Sequence, residues 1–234
     1  MLATKFDIGI DDRRPGGARP EYVRQAAEDS LRRLDTDHID LYQLHQPDDD
    51  TPISDTLGAL NTLVQAGKVR EIGCSNFSAA QIGEANSAAA GGARFVSVQN
   101  EYSLLQRAPE TDVLAECENL GVAFLPYFPL ASGLLTGKYR KGESLPEGTR
   151  IQAQGRFSEL LTDKNLDTVE ALIAFAESRG HTVLELAFSW LIRQPAVASV
   201  IAGATSTGQI RSNAAAAEWR LSAEEMGEVE AILR

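Results

Sequence analysis

Residues 39–76 read IDLYQLHQPDDDTPISDTLGALNTLVQAGKVREIGCSN. The stretch opens on a strand candidate, Ile39–Leu44, and closes on a second, Val69–Cys74. Between them Leu57, Leu60, Leu63 and Val64 recur at helical spacing, and Gly67 follows, where a helix end calls for a residue of positive φ. Strand, helix, strand in so short a span is a βαβ unit. Its two strands run parallel and its crossover is right-handed.

The same grammar extends outward in both directions. Leu2–Phe6, Phe95–Gln99, Val122–Tyr127 and Ser199–Ile201 are further strand candidates, several of them apolar on both faces, as covered parallel strands are. Tyr22, Val23, Ala26, Ala27, Ser30, Leu31 and Leu34 make another helical stripe. Gly121 and Gly180 stand where helices end, and Pro109 is placed to open one at its first turn. Helices are predicted at about 163–178 and 182–193, and a last one from Ser222 to Leu233 with Ser222 and Glu225 as a capping box. The strand starts at residues 2, 39, 69 and 95 form a steady βα repeat. Such a repeat builds either a closed (β/α)8 barrel or an open doubly wound sheet. No G-x-G-x-x-G turn follows any strand, which favours the barrel. The expectation is an α/β chain of one domain over residues 1–234, an incomplete (β/α)8 barrel with about six of its eight units. Either the sheet is truly open, or two units are missing from the front, through a misplaced start site or a shortened barrel. The Gly-rich, polar stretch at about 131–160 reads as an extended active-site loop.

Composition excludes several classes of function. Across 234 residues, 22 Lys and Arg face 33 Asp and Glu, a formal charge of −11 that repels nucleic acid. No apolar run approaches a membrane span, and the N-terminus lacks the pattern of a secretory signal, so a cytoplasmic protein is expected. Cys74 and Cys117 show neither disulfide nor metal spacing, His38, His45 and His181 are scattered, and no metal is expected. Oligomeric state is not readable from the sequence.

In barrel enzymes the chemistry stands at the C-terminal ends of the strands. Those positions hold Lys5, His45, Ser75, Asn76, Gln99, Asn100, Tyr127 and Gly203. A lone lysine or asparagine at a strand end is most often a surface cation or a loop cap. Convergence of the whole set on one rim is what points to a site.

The segments LATKF, HIDLYQLHQPD, GKVREIGCSNF, VSVQNEYSLLQR, YFPLASGLLTGKY and VIAGATSTGQIRSN together resemble the aldo-keto reductase superfamily over essentially the whole chain. GKVREIGCSNF and LYQLHQPD are the specific ones, and Cys74 departs from the usual aliphatic residue. The resemblance implies an oxidoreductase that reduces aldehydes or ketones to alcohols with a nicotinamide cofactor, and a small carbonyl compound as substrate. It implies Lys5 and His45 as the lysine and histidine of the catalytic tetrad. The tetrad's Asp and Tyr belong to units before residue 1; Asp7, Tyr42 and Tyr102 are the right types in the wrong places. It further implies Ser75, Asn76 and Gln99 at the nicotinamide carboxamide and Tyr127 stacked on the ring. Leu130, Ser132 and Leu134 fall in the pyrophosphate strap, and Gly203, Ala204, Thr205, Gln209 and Asn213 at the adenosine end. NADP is the family default. NAD is the alternative, because Gly203 and Gln209 stand where basic anchors are usual and Arg211 is the only nearby cation of the motif. Two other outcomes stay open: a nucleotide-binding regulatory module with little turnover, and an inactive fragment.

Overall fold

The computed structural model describes residues 1–11, 14–145, 147 and 159–234. The chain divides into two compact units, Met1–Asn100 with Glu110–Leu125, and Glu101–Pro109 with Pro126–Arg234.

The first unit is a five-stranded parallel sheet. Its strands are β1 (Ala3–Phe6), β4 (Ile39–Leu44), β5 (Val69–Ser75), β6 (Phe95–Gln99) and β7 (Ala123–Phe124), side by side in that order. Four crossover helices accompany them: α1 (Pro20–Leu34), α2 (Ile53–Gln65), α3 (Ala79–Ala88) and α4 (Val113–Leu120), each packed on the next. Register and alternation give the sheet two unlike faces. One row, Phe6–Leu44–Cys74–Val98–Phe124, runs across all five strands and is buried throughout. Tyr42, on the same face, donates its hydroxyl to the Val23 carbonyl of α1 at 3.3 Å, so this apolar face is the one the helices cover. The adjacent row is Lys5–Gln43–Gly73–Ser97–Ala123, and it points the other way. Between β5 and β6 the register slips after Ile72, leaving Val96 as an extra residue on β6.

The second unit holds α5 (Asp163–Glu177), α6 (Val183–Ile192), α7 (Thr207–Ala215) and α8 (Ala223–Ile232), with α6 packed on the 3-10 turns of Ala131–Thr136. Trp190 is fully buried, its indole N–H donates to Glu230 at 3.3 Å, and Arg107 pairs with the same carboxylate at 2.7 Å. The Ser222–Glu225 capping box is present, as predicted, and Thr182–Glu185 forms another. Thr182→Ala leaves the first turn of α6 with an unsatisfied N–H and lowers stability by about 1 kcal/mol, read from the urea midpoint.

Several expectations needed correction. Val122–Tyr127 shrinks to Ala123–Phe124 plus one isolated bridge at Tyr127, because Pro126 has no N–H to give to a ladder. Ser199–Ile201 is not a strand; it contributes one bond, from the Ile201 N–H to the Pro126 carbonyl at 3.0 Å. Pro109 sits in a 3-10 turn, Ala108–Glu110, and α4 begins only after Asp112, whose φ of −155° interrupts the helix. A small antiparallel hairpin, β2 (Ile8–Asp11) with β3 (Arg14–Gly16), was not anticipated. Of the long segment at about 131–160, residues 146 and 148–158 lie outside the described residues. No helix among the described residues is long and apolar enough to cross a membrane, and none of them form a metal-holding cluster.

Candidate active site

In the first unit the strand ends are laced together by side chains and backbone. The His45 N–H donates to the Phe6 carbonyl at 3.0 Å, which brings the end of β4 beside the end of β1. The Asn76 amide nitrogen donates to the His45 carbonyl at 3.0 Å and to Ser75 Oγ at 3.3 Å. Ser75 Oγ in turn donates to the Gln99 carbonyl at 2.6 Å. These bonds therefore link β4 to β5 to β6 through four of the residues singled out by sequence, His45, Asn76, Ser75 and Gln99. Asn76 adopts φ +62°, a left-handed conformation that asparagine tolerates better than most residues. Asn100, one residue beyond β6, donates to the Phe77 carbonyl at 2.8 Å.

Electrostatics mark this rim. Burial lowers the Lys5 pKa. Burial and then the Lys5 charge lower that of His45, so its imidazole is neutral at pH 7. That Lys5 reaches His45 electrostatically places the two expected catalytic groups within one field. Gln99 is 6% exposed, and its Oε1 is buried without a hydrogen-bond partner among the described residues. An unpaired buried acceptor is costly unless a donor arrives. A primary carboxamide presents such a donor.

Asp7 is the residue that sequence reading undervalued. It follows β1 directly, is 6% exposed, and takes φ +106°. Its backbone carbonyl receives the Gly17 N–H at 2.8 Å, closing the hairpin, while its Oδ2 is buried and unpartnered among the described residues. Burial first, and the Asp48 carboxylate second, push its pKa up to about 6. Asp48 is itself engaged, accepting the Ala18 N–H at 2.7 Å and the Thr51 hydroxyl at 2.9 Å. No sequence pattern announced the positive φ; only a carboxylate two residues past Lys5 was visible.

In the second unit, Tyr127 is bridged to Glu101, and its carbonyl receives the Tyr102 N–H at 3.3 Å. Burial and then Glu101 raise the Tyr127 pKa, so it stays a neutral phenol. Its ring meets Phe128 edge-on, with centroids 5.3 Å apart. The strap that follows concentrates backbone strain: Phe128, Ala131 and Ser132 all have positive φ (51°, 44° and 58°). Non-glycine residues held there cluster at ligand clamps. Ser132 is nearly buried and Leu134 wholly so, which makes the Leu134 side chain core rather than lining. Leu130 lends the strap its carbonyl, which accepts the Gly133 and Leu135 N–H groups. Farther along, the Thr205 N–H and hydroxyl both donate to Gln209 Oε1, at 2.7 and 3.1 Å. Ser206 caps α7 by accepting the Gln209 N–H at 3.2 Å. Gly203 and Ala204 lie exposed before this cap, and Asn213 is half-buried within α7.

The aldo/keto reductase family model matches residues 1–234. A soybean (Glycine max) protein described as probable aldo-keto reductase 1 is 35% identical over 232 residues, which is 98% of this chain and 65% of that protein. The structure of the glycerol dehydrogenase AKR11B4 from Gluconobacter oxydans superposes with a TM-score of 0.84 at 33% identity, covering 99% of this chain and 71% of the other. The chain thus spans about two thirds of the soybean protein's length. Its parallel α/β architecture is that of the (β/α)8 barrel enzymes. This chain belongs to the aldo/keto reductase family.

Proposed function

We propose that the chain carries the nicotinamide-facing part of an oxidoreductase that interconverts small aldehydes or ketones with alcohols. The observation that carries the reading is the laced rim of the first unit, where Lys5 and His45 share a field and Gln99 keeps a buried acceptor unpaired. A nicotinamide dinucleotide, when bound, supplies or accepts the hydride. Gln99 Oε1 accepts from the carboxamide, and Ser75 and Asn76 hold the strand ends that fix its position. Tyr127 offers a flat, neutral ring as a platform. Leu130, Ser132 and Leu134 shape a strap for the pyrophosphate, the last through its backbone. Gly203, Ala204 and Thr205, ahead of Gln209 and Asn213, lead the chain into a helix N-terminus suited to an anion. His45, neutral at pH 7, donates an N–H to the substrate oxygen as that oxygen gains charge, and the Lys5 ammonium stabilises the same charge. NADP is the cofactor of first choice and NAD the alternative.

A second reading, a dinucleotide-binding module with little turnover, draws on Tyr42 and Tyr102. Tyr42 is buried and donates to Val23, and Tyr102 is buried against Trp190, so neither serves as a proton donor.

Titration of NADPH and NADH against the intrinsic fluorescence of the chain separates these. Saturable quenching is expected, and Gln99→Leu weakens it at least about tenfold. Absence of saturation with either dinucleotide would falsify the reading as a whole. Equal affinity for both shows that the 2′-phosphate is not read. Loss of NADPH absorbance with an aromatic aldehyde, abolished in His45→Ala, favours the enzyme; binding without turnover favours the module.

A further inference from the structure

Behind Lys5 the face of the sheet turned away from the helices is polar, where a barrel interior is ordinarily filled by branched apolar side chains. Gln43 of β4 lies in register with Lys5 of β1, and Ser97 of β6 lies in the same row beyond Gly73 of β5. Gln43 is 2% exposed and Ser97 3%, yet Gln43 Nε2 and Ser97 Oγ have no hydrogen-bond partner among the described residues. Gly73 brings these two side chains towards one point. A Cβ on Gly73 would stand 2.6 Å from Ser97 Oγ and 3.3 Å from Gln43 Cγ, so both flank the space a larger residue would fill. Two buried polar groups without partners, flanking one glycine in a row that ends on a lysine, are not explained by the strand-end chemistry.

We propose that Gln43 and Ser97 are positioning residues for Lys5, holding one buried water against its side chain through Gln43 Nε2 and Ser97 Oγ. The water accepts one bond from the Gln43 amide and one from the Lys5 ammonium, and it donates one to Ser97 Oγ, which gives it the two to four polar partners a buried water needs. The seat keeps the ammonium solvated in a place where burial works against its charge, and it fixes the direction from which Lys5 approaches the rim. The inference deepens the function proposed above and rests on it for its catalytic consequence, but its test does not.

The test is competitive acylation of the folded chain across pH, with the modification of Lys5 followed by mass spectrometry of its peptide. The readout is the pH at which Lys5 is half reactive, and it requires neither cofactor nor turnover. Gln43→Leu unseats the water and moves that midpoint down by about one pH unit. Gln43→Glu sets a carboxylate beside the ammonium and moves it up by a similar amount. Ser97→Ala, which removes only a hydroxyl, moves it down by less and keeps the test decisive if a Gln43 variant does not fold. Cys74→Ala, on the opposite face of the same sheet, loosens packing and leaves the midpoint in place. An unmoved midpoint in the folded Gln43 and Ser97 variants overturns the proposal, and so does a Cys74→Ala shift as large as that of Gln43→Leu. Loss of dinucleotide binding with a normal Lys5 response would instead fault the functional reading alone.

Discussion

Asp7→Asn raises the unfolding free energy of the chain by about 2 kcal/mol at pH 8 and leaves it nearly unchanged at pH 4. The sign follows from proton counting. In the folded chain the Asp7 pKa is pushed up to about 6, so between the ordinary value of 3.8 and that value the folded state holds more protons than the unfolded one. Stability contributed by this group is full below the lower pH and is lost as pH rises through the upper one. Asparagine removes the charge that burial and Asp48 oppose. It also tolerates positive φ better than most residues, and its amide can donate where Asp7 Oδ2 has no partner. His45 acts in the opposite sense over part of the same range, because its lowered pKa costs stability as pH falls. The measurement is therefore the difference between the parent and variant urea midpoints at each pH from 4 to 8, which cancels the His45 contribution. A flat difference, or a variant less stable than the parent at pH 8, means that the hydrogen bonds from the Gly17 N–H and the Gln46 side chain outweigh burial and the Asp48 charge.

What could be read from sequence was whatever depends on local pattern. The apolar residues in IDLYQL and the stripe at Leu57, Leu60 and Leu63 fix β4 and α2, because burial of one face selects residues at a fixed period. Ser222 with Glu225 and the glycines after helices are equally local, and Gly67, Gly121 and Gly180 all have positive φ. The expected site residues at the ends of β1, β4, β5 and β6 follow from the strand assignments plus the family motifs. What stayed hidden depends on pairing between distant segments. Gln43 and Ser97 look like stray polar residues in two separate strands until the register, with the extra residue at Val96, sets them in one row. The strain at Asp7 is likewise a product of the hairpin that Gly17 closes, and the segment IGIDDRRPGG carries no period that announces a strand pair. Pro126 was visible in the sequence, and its missing N–H is reason enough for the fifth parallel strand to be short.

The other large effect is at Gly73. Gly73→Ala lowers stability by about 3 kcal/mol, at the upper end of what overpacking a buried site costs. The new methyl would lie 2.6 Å from Ser97 Oγ and 3.0 Å from the Ser97 carbonyl oxygen. The hydroxyl can rotate away, but the carbonyl belongs to β6, which is bonded to β5 on one side and β7 on the other. Relief then demands that β5 and β6 separate, and the bonds at risk are those that align Ser75 with Gln99 two residues further on. The effect is thus expected at two levels: a lower urea midpoint, and dinucleotide binding weakened beyond what stability alone explains. The double variant Gly73→Ala/Ser97→Gly separates the two contacts. It removes the hydroxyl clash and leaves the carbonyl one, so it recovers part of the loss and not all of it. Complete recovery would place the whole cost on Ser97 Oγ and show that the strands have room to move. A single Gly73→Ala variant within about 0.5 kcal/mol of the parent would show that the sheet opens freely at this row. A row that opens freely cannot hold the Lys5 side of the rim at a fixed distance from Gln99.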